Sequence, residues 1–207
     1  AASLIMVGDI TMSEARALAE EAFGAWEPGD VAEHEVPTPA PLQSTKIVIV
    51  DKPGAAQSTI TVGHLGLRRK DPAFETFDVM NNALGGQFMS RLNLNLREEK
   101  GYSYGSFAFA MSTRGVGPYA VFAPVQTQST KESIVEIVKE IRDVTGARPL
   151  TDEEVAFSKS NLIQGYPQKF TSVSGIAGQV ESLVMYGLPD NDWSTYVKRI
   201  RAIDGQS

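Results

Sequence analysis

Side chains able to do acid, base or metal chemistry are sparse in this chain of 207 residues. It has no cysteine and two histidines, His34 in a proline-flanked stretch and His64 in a strand-like one. Neither belongs to the H-x-x-H or H-x-x-E-H spacing that sets two imidazoles on one helical face, so an ordinary histidine zinc site is excluded. A lone imidazole without convergent partners reads as a hydrogen-bonded or solvent-facing residue. Gly85-Gly86 before a helix would suit a phosphate, but no strand leads into it and no Lys-Ser/Thr pair follows, so it reads as a tight helix-to-helix turn. Arg97-Glu98-Glu99-Lys100 is a run of four charges, with Tyr102 and Tyr104 just beyond. By position alone, Arg97 is an arginine favoured by the dipole of a helix's last turn, Tyr104 is strand packing, and Glu98 and Glu99 are solvated.

Composition narrows the partners. With 25 acidic and 19 basic residues the net charge is -6, which leaves no basic footprint for a nucleic acid. The longest apolar stretches, Ile47 to Val50 and Ile134 to Val138, are too short to cross a bilayer, and no membrane partner is expected. With 42% hydrophobic and 21% charged residues the chain can bury a core of ordinary size. A cysteine-free chain fits the cytoplasm and the bacterial periplasm equally well.

The elements that would carry these residues follow from periodicity and caps. Ser3 to Val7 reads as a short strand, then Thr11 and Glu14 form a capping box for a helix to about Phe23, closed by Gly24. The stretch from Glu27 to Thr45 carries Pro28, Pro37, Pro39 and Pro41 and reads as a linker. Lys46 to Asp51 and Gln57 to Leu67 read as strands, the second with Ile60 and Val62 on one face. Asp71-Pro72 opens a helix that stops at Gly85-Gly86. A second helix runs from Phe88 through Leu92 and Leu96 to Lys100-Gly101, with Arg97 in its last turn. Tyr102 to Met111 and Pro118 to Val125 alternate as an antiparallel hairpin, which would set Tyr102 and Tyr104 on one face. Ser129 with Glu132 caps a helix bearing Ile134, Ile137, Val138, Ile141 and Val144. Helices over about 151–164, opened by Thr151 to Glu154, 172–186, ending at Gly187, and 192–203 complete the chain. This order predicts an α+β fold, a mostly antiparallel sheet with helices packed on one face.

The run from Leu84 to Gly105, with its core Leu96-Arg97-Glu98 … Gly101 … Tyr104, closely resembles the second-domain signature of M16 (pitrilysin-like) peptidases. The resemblance extends to Val7-Gly8-Asp9 with Ala22-Phe23-Gly24, and to Ile176-Ala177 with Tyr186-Gly187-Leu188-Pro189. It implies one half of a two-domain zinc metallopeptidase, in which two similar α/β halves close around an extended peptide. Zinc and its general base would lie in the other half, on an H-x-x-E-H helix that this chain lacks. The resemblance assigns this half an arginine and a tyrosine that reach the substrate, and Arg97 and Tyr104 match those positions. A guanidinium can hold peptide carbonyls in a fixed fork, and a phenol can donate to the oxyanion of a tetrahedral intermediate.

The same resemblance places residues 1–26 as the last strand and helix of the preceding half, 27–45 as a linker, and 46–207 as the second half, shortened at its final helix. The expected partners are the zinc-binding half, in the same chain or as a separate subunit, and an extended peptide. The chain alone is expected to be inactive, and a strand at Ser3 to Val7 without its own sheet would favour a homodimer. The alternative is a proteolytically inactive structural or assembly subunit. A peptide-binding module of unrelated origin, adding a strand to an open edge, leaves the Leu84 to Gly105 match unexplained.

Overall fold

Period-two alternation builds the sheet of this computed structural model, which describes residues 2–27, 29–32 and 35–205. Strand β1 (Gln57–Leu65) pairs antiparallel with β3 (Pro118–Gln126), and β3 pairs on its other side with β2 (Phe107–Ala110), giving the order β1-β3-β2. Ile60 faces Ala123 and Ala108 faces Val121 across the ladders. These side chains share one face and form a core with Leu84, Leu92, Leu96 and Ile137. The opposite face carries Thr59 and Thr61 of β1, Phe122 and Pro124 of β3, and Phe107 and Phe109 of β2, with no charged side chain among them.

Helices cover the core face. Helix α1 (Met12–Phe23) stands apart from them near the N-terminus, while α2 (Phe74–Asn81) continues as a π-helical segment, Asn82–Gly86, whose end meets β2. A Cβ on Gly85 would lie 2.5 Å from the Ala108 Cβ and 2.8 Å from its amide nitrogen, so glycine permits this close crossing. Helix α3 (Arg91–Asn93) likewise widens into a π-helical segment, Leu94–Glu99. Helix α4 (Thr130–Val144) lies on β1 and β3 with Ile137 fully buried. The helices α5 (Asp152–Gly165), α6 (Val173–Tyr186) and α7 (Asp192–Ala202) follow, and Val155, Tyr166, Tyr196 and Ile200 join Val79 in a second core.

The expected caps form at three helices. Thr11 and Glu14 bond reciprocally, as do Thr151 and Glu154, and α6 ends at Gly187 with φ +61°. Ser129 is different: it lies in a 3-10 turn and makes no capping bond, while the Thr130 hydroxyl donates to the Thr127 carbonyl and lies 2.8 Å from Ser58 Oγ.

Several boundaries depart from expectation for identifiable reasons. Ser3 to Val7 and Lys46 to Asp51 form no strand, and Ile47 and Val50 are 80% and 87% exposed. β-branched composition does not make a strand without a neighbouring edge to take its amides. The second helix begins at Arg91 instead of Phe88, because the Gln87 side chain accepts from the Met89 amide at 2.6 Å and Ser90 is extended. The hairpin's first strand starts at Phe107, and Tyr102 and Tyr104 do not share a face. Tyr102 packs against the core while Tyr104 is 83% exposed. His34 lies outside the described residues.

Candidate functional site

Leu92 and Leu96, both fully buried, fix α3 and its extension on the sheet and leave Arg97 at the layer's rim. The helix closes immediately after it. Lys100 donates its amide to the Asn95 carbonyl, Gly101 takes φ +64°, and Tyr102 donates to the Leu96 carbonyl at 2.8 Å. The chain then turns back, so the residues that follow pass beside the helix's last turn.

The guanidinium carbon of Arg97 lies 4.6 Å from the centre of the Phe88 ring and 5.1 Å from that of Tyr104. Cations are drawn to aromatic faces at such distances, so the two rings hold the guanidinium in place. Its Nε sits 3.2 Å from Glu98 Oε1, and its two Nη groups make no hydrogen bond among the described residues. The Tyr104 hydroxyl likewise donates to nothing among them. The site thus offers a held guanidinium and an exposed phenol, side by side, with donors available to a ligand.

Tyr104 reaches the open face through an irregularity in the ladder. Phe107 pairs with Phe122 and Ser103 bridges to Val125, so three residues lie between the pairs on one strand and two on the other. The additional residue is a β-bulge. In an unbroken register position 104 would oppose Val125 and point into the core, where Val125 is fully buried. The bulge reverses that direction. Ser103 pins it: its hydroxyl lies 2.6 Å from the Pro124 carbonyl oxygen and 2.8 Å from that of Gly105, with its one proton shared between them.

A buried carboxamide joins the two walls. Asn93 Nδ2 donates to the Phe88 carbonyl at 2.7 Å, and its Oδ1 accepts from the Ser106 amide at 3.1 Å. Neither Phe88 nor Asn93 stands out in the sequence, since a phenylalanine beside a glycine pair and an asparagine in a helix have ordinary structural readings. Phe107, Phe109 and Phe122 continue the open face, with Phe107 and Phe122 ring centres 5.2 Å apart. The aromatic alternation of the hairpin was their signal.

Arg91, on the same helix, does separate work. It is 7% exposed and donates to both Glu154 oxygens at 2.6 Å and to the Arg148 and Pro149 carbonyls at 2.6 and 2.8 Å. The Arg91 bond holds the Glu154 carboxyl down at about 2, with burial opposing it and the Thr151 amide assisting. This pair ties α3 to α5 and lines a cleft of about 550 Å³ with Asn95, Glu140 and Arg148.

The described residues do not fit a zinc ion. Among the described residues no group of three or more histidine, cysteine, aspartate or glutamate side chains converges on a point. His64 is exposed on β1, with its Nδ1 2.6 Å from the Leu65 carbonyl oxygen.

Known proteins resemble the chain over most of its length. Residues 1–162 match the family model for the peptidase M16 inactive domain. An uncharacterized zinc protease of Streptomyces coelicolor is 28% identical over 106 residues, 51% of this chain and 23% of that protein. Among solved structures, a peptidase M16 inactive domain from Pseudomonas fluorescens superposes with a TM-score of 0.81 at 20% identity, covering 96% of this chain and 46% of that one. A protease from Helicobacter pylori gives 0.80 at 18% identity, covering 97% and 49%. The chain spans less than half the length of each of these relatives. With more than half of its residues matched by the family model, the chain belongs to the peptidase M16 inactive-domain family.

Proposed function

We propose that this chain is the substrate-positioning half of an M16-type zinc metalloendopeptidase. The observation that carries the reading is the Arg97 guanidinium held between Phe88 and Tyr104 with its Nη donors directed to no protein group among the described residues. Zinc and the general base belong to the other half, whether on the same polypeptide or on a separate subunit. In this reading residues 1–26 go with the preceding half, 27–45 connect, and 46–207 form the second half.

Arg97 binds a backbone carbonyl of an extended peptide through paired N–H donors, which fixes the peptide's direction. Tyr104 donates from its hydroxyl to the carbonyl oxygen on which negative charge develops during attack. Neither group removes a proton. The uncharged sheet face around Phe107 and Phe122 lines the space beside them.

Complementation tests this division of labour. The zinc-binding half prepared alone should hold zinc but cleave a quenched-fluorescent peptide mixture poorly, and restoring the half described here should restore turnover. Full activity from the zinc half alone would overturn the proposal and leave a scaffold role.

A further inference from the structure

We propose that Asn93 is a positioning residue for the Arg97–Tyr104 pair, an inference that rests on the substrate-binding role given to that pair. Its carboxamide is bonded to both walls of the site. On one side it holds the Phe88 carbonyl, and with it the ring against Arg97. On the other it holds the Ser106 amide, inside the bulge that turns Tyr104 outward.

The geometry suits this task better than a packing role. Asn93 is 3% exposed, and an apolar residue of similar volume would fill its space without the cost of burying an amide. The carboxamide instead supplies one donor and one acceptor to two backbone groups that no helix or ladder satisfies. The Phe88 carbonyl lies in the turn before α3, and Ser106 lies just before β2 begins. Without it the Phe88 turn would rest on the Gln87 side chain and the bulge on Ser103, with nothing tying one to the other at this point. Side chains flanking such segments drift by fractions of an ångström, which costs turnover more than affinity when the groups act on a transition state.

Aspartate at position 93 separates positioning from mere filling. As a carboxylate it accepts from the Ser106 amide but has nothing to donate to Phe88. As the neutral acid it does both, with its hydroxyl replacing Nδ2. Burial favours the neutral acid and the Ser106 amide favours the carboxylate, so lowering the pH moves the population toward the form that makes both bonds.

The experiment uses the assembled two-half enzyme and a quenched-fluorescent peptide mixture. Asn93→Ala should lower kcat about 10-fold or more with KM changed less than about three-fold and zinc content unchanged. For Asn93→Asp the ratio of its kcat to that of the wild type, taken at each pH, should rise as pH falls from 8 to 6, because the neutral acid restores both bonds. If Asn93→Ala does not fold, the Asn93→Asp ratio decides. A wild-type kcat in a folded Asn93→Ala enzyme, or a ratio that stays flat with pH, overturns the inference. Should Arg97→Ala and Tyr104→Phe lose turnover while the Asn93 variants do not, this inference alone fails; should those two be neutral, the underlying reading fails.

Discussion

The guanidinium carbon of Arg97 sits 5.1 Å from the centre of the Tyr104 ring, although one residue ends a helix and the other follows a reversal of the chain. Gly101 makes the reversal, and the bulge at Tyr104 turns the phenol to the same side as the guanidinium. Proximity of this kind is a property of the fold rather than of sequence spacing.

Phe88 supplies the second ring, 4.6 Å from the same guanidinium. Phe88→Ala should reduce kcat/KM of the assembled enzyme about two- to five-fold, the equivalent of one exposed cation–π contact of ~0.5–1 kcal/mol. Because Phe88 is 55% exposed, thermal denaturation should be nearly unchanged. A large fall in melting temperature would show that Phe88 is instead part of the core.

Gly85→Ala tests the helix-to-sheet crossing. The new methyl would meet the Ala108 Cβ at 2.5 Å and its backbone nitrogen at 2.8 Å, and backbone yields poorly. Urea titration should show a loss of about 1–3 kcal/mol, as for an overpacked core. Full stability would mean the two elements separate freely.

The Arg91–Glu154 pair sets an acid limit. The Glu154 carboxyl titrates at about 2 in the fold against 4.5 ordinarily, so between those values the unfolded chain binds the extra proton. Stability from the pair is therefore complete above about pH 4.5 and declines as pH falls toward 2. Glu154→Gln should lose stability at pH 7 and flatten that acid limb in urea titrations. Arg91→Ala, which leaves Glu154 and the Arg148 and Pro149 carbonyls without that donor, should cost about 1–3 kcal/mol at pH 7, since Glu154 stays partly in water and keeps the Thr151 amide.

Zinc content gives a further check. The purified chain, dialysed against zinc and analysed by atomic emission, should carry far less than one equivalent. Stoichiometric zinc would require a site other than any the described side chains form.

Much of this architecture was legible in the sequence where one local rule acts alone. The capping boxes at Thr11 and Thr151, the glycine stop at Gly187 and the alternation of Pro118 to Gln126 are satisfied within a few residues of themselves. Ser3 to Val7 and Lys46 to Asp51 were misread because a strand depends on a neighbour that periodicity does not reveal. The π-helical widening at Leu94 and the bulge at Tyr104 escaped for a related reason: both are insertions whose cost is met by tertiary contacts. For the site, the family resemblance marked Arg97 and Tyr104 but could not show Phe88 or Asn93, whose parts depend on a distance and two hydrogen bonds.

The most direct measurement compares Arg97→Ala and Tyr104→Phe in the assembled enzyme, with peptide turnover and zinc content determined on the same preparations. The account predicts that Tyr104→Phe lowers kcat about 100-fold, the typical loss of one oxyanion donor, and that Arg97→Ala lowers kcat/KM at least as far, with zinc unchanged in both. Wild-type turnover in both variants, with zinc in place, would contradict it.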